Sequence, residues 1–181
     1  MILLARHGET TFNAERRFQG WSPEAVLTEK GRAEAHELAE AAAQEDLAAL
    51  YTSPLVRARE TAAIVGERVG LEPRVDERFA ESFRGEWEGR LIAEIKAEDP
   101  DAWAGSLAVD PSFRFPGGES LEEHGARVEA ALADVARGPL PALVICHGGT
   151  IRRVIAKREP ERVTDVFVEN GSLTLVGDAR D

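Results

Sequence analysis

The feature that most constrains this chain is a pair of short apolar runs, each broken off by a histidine and a glycine. Ile2-Leu3-Leu4-Ala5 leads into Arg6-His7-Gly8-Glu9-Thr10, and far down the chain Ala142-Leu143-Val144-Ile145-Cys146 leads into His147-Gly148-Gly149-Thr150. A continuous apolar run bounded by a turn residue reads as a strand buried on both faces. Both histidines therefore stand where a strand leaves its sheet, which in open α/β sheets is the end at which ligands bind.

Helical and extended patterns alternate between the two runs. Thr28 is placed to cap a helix carrying Ala35, Leu38 and Ala42 toward Asp46, and Leu47–Tyr51 reads as a second strand. Ser53-Pro54 reads as an N-cap followed by proline at the first helical position. Leu55, Ala58, Ala62, Val65 and Val69 then fall on one face, and Gly70 supplies the stop. Glu72–Val75 is a short strand by the same reasoning, and Leu91–Glu98 a helix that Asp99-Pro100 breaks. Ser120 and Glu123 form a capping box for a helix whose inner face is Leu121, Gly125, Val128, Leu132 and Val135. A short helix is expected after Thr150, and segments 164–168 and 172–176, joined through Asn170-Gly171, read as a closing hairpin or edge pair. The alternation predicts an α/β three-layer sandwich, with a mainly parallel central sheet and helices on both faces.

At 181 residues, without repeats or a long linker, the chain is expected to form one domain, residues 1–181, with a small cap or lid at about 82–118. A formal charge of −11 argues against nucleic-acid and anionic-membrane partners, which want a basic face. It leaves room for a small anionic substrate, because screening over about 8 Å lets a local arginine cluster govern its own cleft. Met1 runs straight into the first strand and Cys146 is the sole cysteine, so the expectation is a cytoplasmic chain with neither a secretory signal nor an internal disulfide.

A phosphoryl group needs donors for its equatorial oxygens, an in-line nucleophile and a proton for the departing oxygen. Arg6 beside His7, and Arg57 in the first turns of the Ser53-Pro54 helix, offer planar bidentate contacts. An arginine near a helix N-terminus opposes the dipole unless an anion sits there too, and the turn His147-Gly148-Gly149-Thr150 can aim backbone N–H groups at the same anion.

Taken together, Arg6-His7-Gly8-Glu9-Thr10 with Asn13, Ser53-Pro54-Leu55-Val56-Arg57-Ala58, Glu81 with Gly85-Glu86-Trp87-Glu88-Gly89, and His147-Gly148-Gly149 resemble the histidine phosphatase family, which includes the cofactor-dependent phosphoglycerate mutases. Each motif alone is weak; four in the family's order, from end to end of the chain, are specific. The resemblance implies that His7 is a nucleophile that becomes phosphorylated, that Arg6, Arg57 and His147 clamp the phosphoryl group, and that Asn13 adds a neutral donor. Glu81 is then the acid for the leaving oxygen and the base for the attacking water. Gln19, Gly20 and Gly148 complete the expected phosphate- and substrate-binding set, and no metal or cofactor is implied. The implied partner is a small phosphate ester, and the chain is expected to be a monomer or a homodimer.

Rival readings exist for several of these residues. A lone Arg-His after a strand is usually a surface turn, but the second His-Gly turn and Arg57 favour function. Glu81 lies among many carboxylates, with Glu86 and Glu88 as substitutes. Glu9 and Glu119 read as helix-entry or supporting charges, and His36 and His124, without partners in helical patterns, as surface residues. Cys146 begins a C-x5-R string ending at Arg152, which resembles the phosphate loop of cysteine-dependent tyrosine phosphatases; Ile145 stands where those enzymes carry histidine, so Cys146 reads as a buried hydrophobe.

Family mutases are longer and carry Arg-His-Tyr-Gly after the acid, where this chain has Ser82-Phe83-Arg84-Gly85. A phosphomonoester hydrolase acting on a small phosphorylated metabolite is therefore expected. The alternatives are a phosphoglycerate mutase and a non-catalytic phosphate-ligand binding protein. Specificity is expected in Arg90–Phe115, with Trp87, Trp103, Phe113 and Phe115 lining a pocket or filling the core.

Overall fold

The computed structural model describes residues 1–107, 110–158 and 168–176. Its centre is a five-stranded sheet built from β1 (Ile2–Arg6), β2 (Ala49–Thr52), β3 (Arg74–Val75), β4 (Ala142–Cys146) and β5 (Leu173–Val176), in the order β3-β2-β4-β1-β5. The β1, β2, β3 and β4 pairings are parallel, and β5 runs antiparallel to β1 along the edge. Leu3 lies opposite Leu143 and Arg6 opposite Cys146, so the two apolar runs are neighbours in register and release their histidines side by side.

Side chains alternate across these strands, and each face acquires its own helical layer. Leu3, Ala5, Leu143 and Ile145 face α2 (Glu29–Ala42) and α3 (Val56–Val69), meeting Leu38, Ala42, Ala58, Ala62 and Val65. Ile2, Leu4, Val144 and Cys146 face the other way, toward α6 (Leu121–Ala136) and α7 (Gly148–Arg158), meeting Val128, Leu132, Val135, Ile151 and Val154. Each fully buried Leu or Ile in these layers contributes about 1.5–3 kcal/mol. The three-layer α/β sandwich with a mainly parallel sheet follows directly.

A third cluster stands apart from the sheet. Phe18, Trp87, Ile95, Phe115 and Leu121 pack with Ile92, Trp103 and Phe113 around α4 (Ile92–Glu98) and α5 (Pro100–Leu107). Trp87 and Phe115 thus belong to a core, and Pro100 begins a new helix rather than ending all helical structure.

Local expectations fare unevenly. Thr28 accepts the Gly31 N–H, and Ser120 and Glu123 form the reciprocal capping box. The connection after β1 contains one short helix, α1 (Thr11–Ala14), closed by its own Thr10–Asn13 capping box. The helix expected to open at Ser53-Pro54 starts instead at Val56, with Leu55 as an N-cap lacking a side-chain bond. The Ser53 hydroxyl accepts the Leu55 N–H and lies 2.7 Å from His147, so it is engaged with the site. Helix α7 begins at Gly148, earlier than the expected start after Thr150. Of the expected closing hairpin, 172–176 supplies the edge strand β5, Val168 is buried outside any strand, and 164–167 lies outside the described residues. No helix among the described residues is long and apolar enough to cross a membrane.

Candidate active site

A cleft of about 290 Å³ opens at the carboxyl ends of β1 and β4. His7 lies at the end of β1, where its N–H bonds the Cys146 carbonyl of the neighbouring strand. Gly8 follows because the loop passes so close to Gly31 of α2 that a Cβ on either residue would strike backbone.

The His7 ring has both nitrogens engaged. Nδ1 is 2.7 Å from the Gly8 carbonyl, which can only accept, so Nδ1 carries the proton. Nε2 receives the Arg57 Nε–H at 3.2 Å and so presents a lone pair. Burial first, then the charges of Arg57 and Arg6, hold the ring's pKa well below the usual histidine value, so it is neutral at neutral pH. Arg57 is the second residue of α3, almost fully buried, and its Nη2 donates to the Gly20 carbonyl at 2.7 Å. Burial lowers its pKa to about 10, which leaves it a cation.

His147 sits behind His7, ring centroids 5.2 Å apart, and is not part of the cleft lining. Its Nε2 meets Ser53 Oγ, while its Nδ1 is buried without a hydrogen-bond partner. Burial, Arg57 and the neighbouring histidines hold it neutral as well. Arg6 lines the cleft, donating from Nη1 to the Val168 carbonyl at 2.6 Å with its Nε unpartnered.

Asn13 and Gln19 line the cleft as well. The Asn13 Oδ1 is taken by the Thr10 N–H and by Asn170 Nδ2, and Gln19 Oε1 by the Thr10 hydroxyl, so each turns its amide NH₂ to other use. Gly20 holds a left-handed φ of 49° and also lines the cleft.

Glu81 lines the same cleft as His7, with both carboxylate oxygens held. Oε1 accepts the Ser82 N–H at 2.9 Å, and Oε2 the Gly149 N–H at 3.0 Å. The carboxylate thus caps α7 from a distant part of the chain, which is why that helix starts early. It also means that the Gly149 N–H, expected to face an anion in the cleft, is already occupied, while Gly148 remains in the lining. Burial pushes the Glu81 carboxyl up, but Arg84, with Nη2 at 3.5 Å, and the two N–H groups outweigh it and bring the pKa to about 2; His124 adds to this only once protonated. The Glu81 backbone is pinned as well, its carbonyl accepting from Trp21 Nε1 and Arg127 Nη2. Glu119 holds Arg127 in place at 2.6 Å, and Glu9 pairs with Lys30 and Thr28, so both act as supports.

His124, read as a surface residue, is buried, 3.2 Å from Thr150 Oγ1 and 3.9 Å from Glu81 Oε1, with burial lowering its pKa to about 3. The spacing carried the signal: Leu121, His124 and Val128 are separated by three and four residues and share the inner stripe. Cys146 is fully buried in the sheet core, burial pushes its thiol far up, and it is not part of the cleft lining, so the cysteine-phosphatase resemblance has no nucleophile. His36 is exposed, as expected.

Arg17, Arg84 and Arg152 join Arg6 and Arg57 around the cleft, with Glu81 as the carboxylate in the lining. A chain of net charge −11 thus gathers guanidinium groups around a neutral imidazole lone pair, an arrangement suited to a phosphoryl group.

The comparisons with known proteins agree with this class of site. The chain belongs to the histidine phosphatase superfamily (branch 1), whose family model matches residues 2–180. It is an enzyme of phosphatase or mutase type. It is 37% identical over 150 residues to the probable phosphoglycerate mutase GpmB of Enterobacter sp. (strain 638), covering 81% of this chain and 69% of that protein. Among solved structures it resembles a mycobacterial glucosyl-3-phosphoglycerate phosphatase complexed with VO3, with a TM-score of 0.86 and 32% identity over 96% of this chain and 90% of that one. A candidate alpha-ribazole-5'-P phosphatase of Escherichia coli str. K-12 substr. MG1655 matches with a TM-score of 0.81 and 25% identity, over 95% and 87% of the two chains.

Proposed function

We propose that the chain hydrolyses phosphomonoesters of small metabolites through a phosphohistidine on His7 Nε2. The observation that carries this reading is the fixed tautomer: Gly8 holds the proton on Nδ1, leaving the Nε2 lone pair beside Arg57 at the cleft. As the ester enters, the Arg57 guanidinium turns from Nε2 to the phosphoryl oxygens, joined by Arg6 and by the Asn13 NH₂. His147, whose Nδ1 has no partner, takes a further oxygen. Nε2 attacks phosphorus, the bond to the leaving oxygen breaks, and that oxygen takes a proton through Glu81. Water then attacks phosphorus on the other side, giving up a proton to Glu81; the P–N bond breaks, its electron pair returns to Nε2, and phosphate leaves.

Glu81 is ionised in the empty cleft, so its acid role needs a source of protons. The substrate supplies one: a phosphomonoester loses its second proton near pH 6, and the monoanion delivers that proton as the added negative charge raises Glu81. Accordingly, kcat/KM is expected to be greatest in mild acid and to fall as pH rises through about 6. A rate–pH profile on alkyl phosphates tests this, and an optimum above pH 8 would contradict it.

The likeness to a named mutase keeps interconversion of phosphoglycerates as a second reading. Steady release of inorganic phosphate from 3-phosphoglycerate, with no 2-phosphoglycerate formed after priming by 2,3-bisphosphoglycerate, supports hydrolysis; interconversion supports the mutase. Saturable ester binding without turnover of p-nitrophenyl phosphate at any pH would instead mark a binding protein.

A further inference from the structure

Resting on the hydrolase reading, we propose that His124 is a proton relay for Glu81, carrying protons between that carboxylate and a side pocket while an ester fills the cleft. It acts only through Glu81 and touches no substrate.

Placement carries this inference. Glu81 lines the main cleft, and His124 lines a neighbouring pocket of about 70 Å³, together with Ser82, Ser106 and Arg153. His124 Nε2 stands 3.9 Å from Glu81 Oε1, so the imidazole links the carboxylate to that pocket. Hydroxyl and guanidinium groups in the pocket lining give water its partners there. A bound ester covers the cleft side of Glu81, and the imidazole then offers the other way out.

The hydrogen bond at the ring suits a relay. Nε2 is 3.2 Å from the Thr150 hydroxyl, which can either donate or accept, so Nε2 is satisfied with its proton or without it. His7 is the contrast, because a carbonyl that can only accept fixes its proton on Nδ1. A polar ring on the buried stripe of α6 that carries Leu121 and Val128 also has a cost that an apolar residue would not.

The surrounding charges make neither group a deep trap for the proton. Burial lowers the His124 pKa to about 3; Glu81 pulls the other way, while Arg127 on the same helix, Arg84, and Arg153 of α7 add to the lowering. Arg152 of α7 borders the same pocket. Burial pushes the Glu81 carboxyl up, and its charged and N–H partners bring it to about 2, close to the imidazole. An anionic ester raises both.

The cycle closes on itself. An ester that arrives as a dianion brings no proton. A proton from solvent reaches Nδ1 through the side pocket, the Nε2–H bond breaks as its proton passes to Glu81, and Glu81 protonates the leaving oxygen. The ring is left with its proton on Nδ1. In the second half-reaction Glu81 takes a proton from the attacking water and passes it to Nε2, and Nδ1 releases its own to the pocket, which restores the first tautomer. Transfer needs about 2.6–3.2 Å, so ring and carboxylate draw together by roughly 1 Å in the loaded cleft.

The test is the fall of kcat/KM for glycerol 2-phosphate between pH 7 and 9. With the substrate as the sole proton source, the value would follow the monoanion and drop about 100-fold. The wild type is expected to drop by no more than about tenfold, and His124→Gln, whose amide can still meet Thr150 but cannot relay, by about 100-fold. For p-nitrophenyl phosphate, whose leaving group needs no proton, the two profiles should have the same shape. Each fall is taken on one protein sample, so partial misfolding leaves it unaffected. A 100-fold drop in the wild type, or a His124→Gln profile parallel to the wild type, makes His124 only a tie between α6 and α7 and overturns the relay. Turnover of p-nitrophenyl phosphate without any turnover of glycerol 2-phosphate removes the relay and leaves hydrolysis standing. No turnover of either ester overturns the hydrolase reading and the relay with it.

Discussion

The two histidine turns look alike in sequence and differ in the folded chain. His7 and His147 leave adjacent parallel strands in register and end 5.2 Å apart, both buried and both neutral. Yet His7 has a proton fixed on Nδ1 by Gly8 and a lone pair beside Arg57, while His147 is tied to Ser53 and keeps an unpartnered Nδ1 behind its neighbour. Position in the sheet brings the two rings together; the hydrogen bonds at each ring set them apart, with a lone pair fixed at His7 Nε2 and the Nδ1 of His147 left without a partner.

The most damaging way to break this contrast is to remove each ring in turn. His7→Ala is expected to lower kcat by about 10⁴-fold or more, since the covalent route disappears. His147→Ala removes one donor and should cost about 10²–10³-fold, with phosphorylation of His7 still detectable by rapid quench. Equal losses in the two variants would erase the distinction.

Glu81→Gln sharpens the assignment of the proton. Alkyl phosphates, whose leaving oxygen needs a proton, should lose about 10²–10⁴-fold in kcat, and p-nitrophenyl phosphate markedly less. A uniform loss across leaving groups would make Glu81 a support for α7 through Gly149 rather than an acid.

Stability should follow the same buried rings. His7, His124 and His147 are all held neutral in the fold, with pKa values below that of an unfolded histidine. Between the two values the unfolded chain binds more protons, so the stability is fully present above about pH 6.5 and is lost as pH falls below it, at up to about 1.4 kcal/mol per pH unit for each ring. Melting temperature measured from pH 7.5 to 5 should decline, and His124→Gln should flatten the decline. At the smallest end, Cys146→Ala, which trims one atom from the sheet core, should cost about 1 kcal/mol in urea unfolding and leave kcat within about twofold. Loss of turnover there would revive the cysteine reading.

Much of this was legible in the chain because the strand ends are marked by abrupt changes from apolar to Arg-His-Gly or His-Gly-Gly, and strand adjacency needs only the alternation rule. Arg6, His7, Arg57, Glu81 and Gly20 converge on the cleft as expected, with His147 directly behind. What was not legible depends on partners distant in sequence. Ser53 reads locally as a helix cap and is held instead by His147; Gly149 reads as a free donor and is claimed by Glu81; His124 shares the inner stripe of α6, where its polarity disguised its position. Arg84 and Arg152 could not be placed in the cleft from local sequence, because the aromatic cluster whose Phe18 and Phe115 rings hold Arg84 exists only once α4 and α5 have packed.

Formation of the bond between His7 Nε2 and phosphorus is open to direct measurement. Rapid acid-free quenching of the wild type with a slowly turned-over phosphate ester, followed by peptide mass spectrometry and ³¹P NMR, tests it directly. The expected result is an acid-labile phosphoryl group on the peptide containing His7, bonded at Nε2 and absent from His7→Ala. A phosphoryl group found on His147, on Cys146 or at Nδ1 of His7 would contradict it.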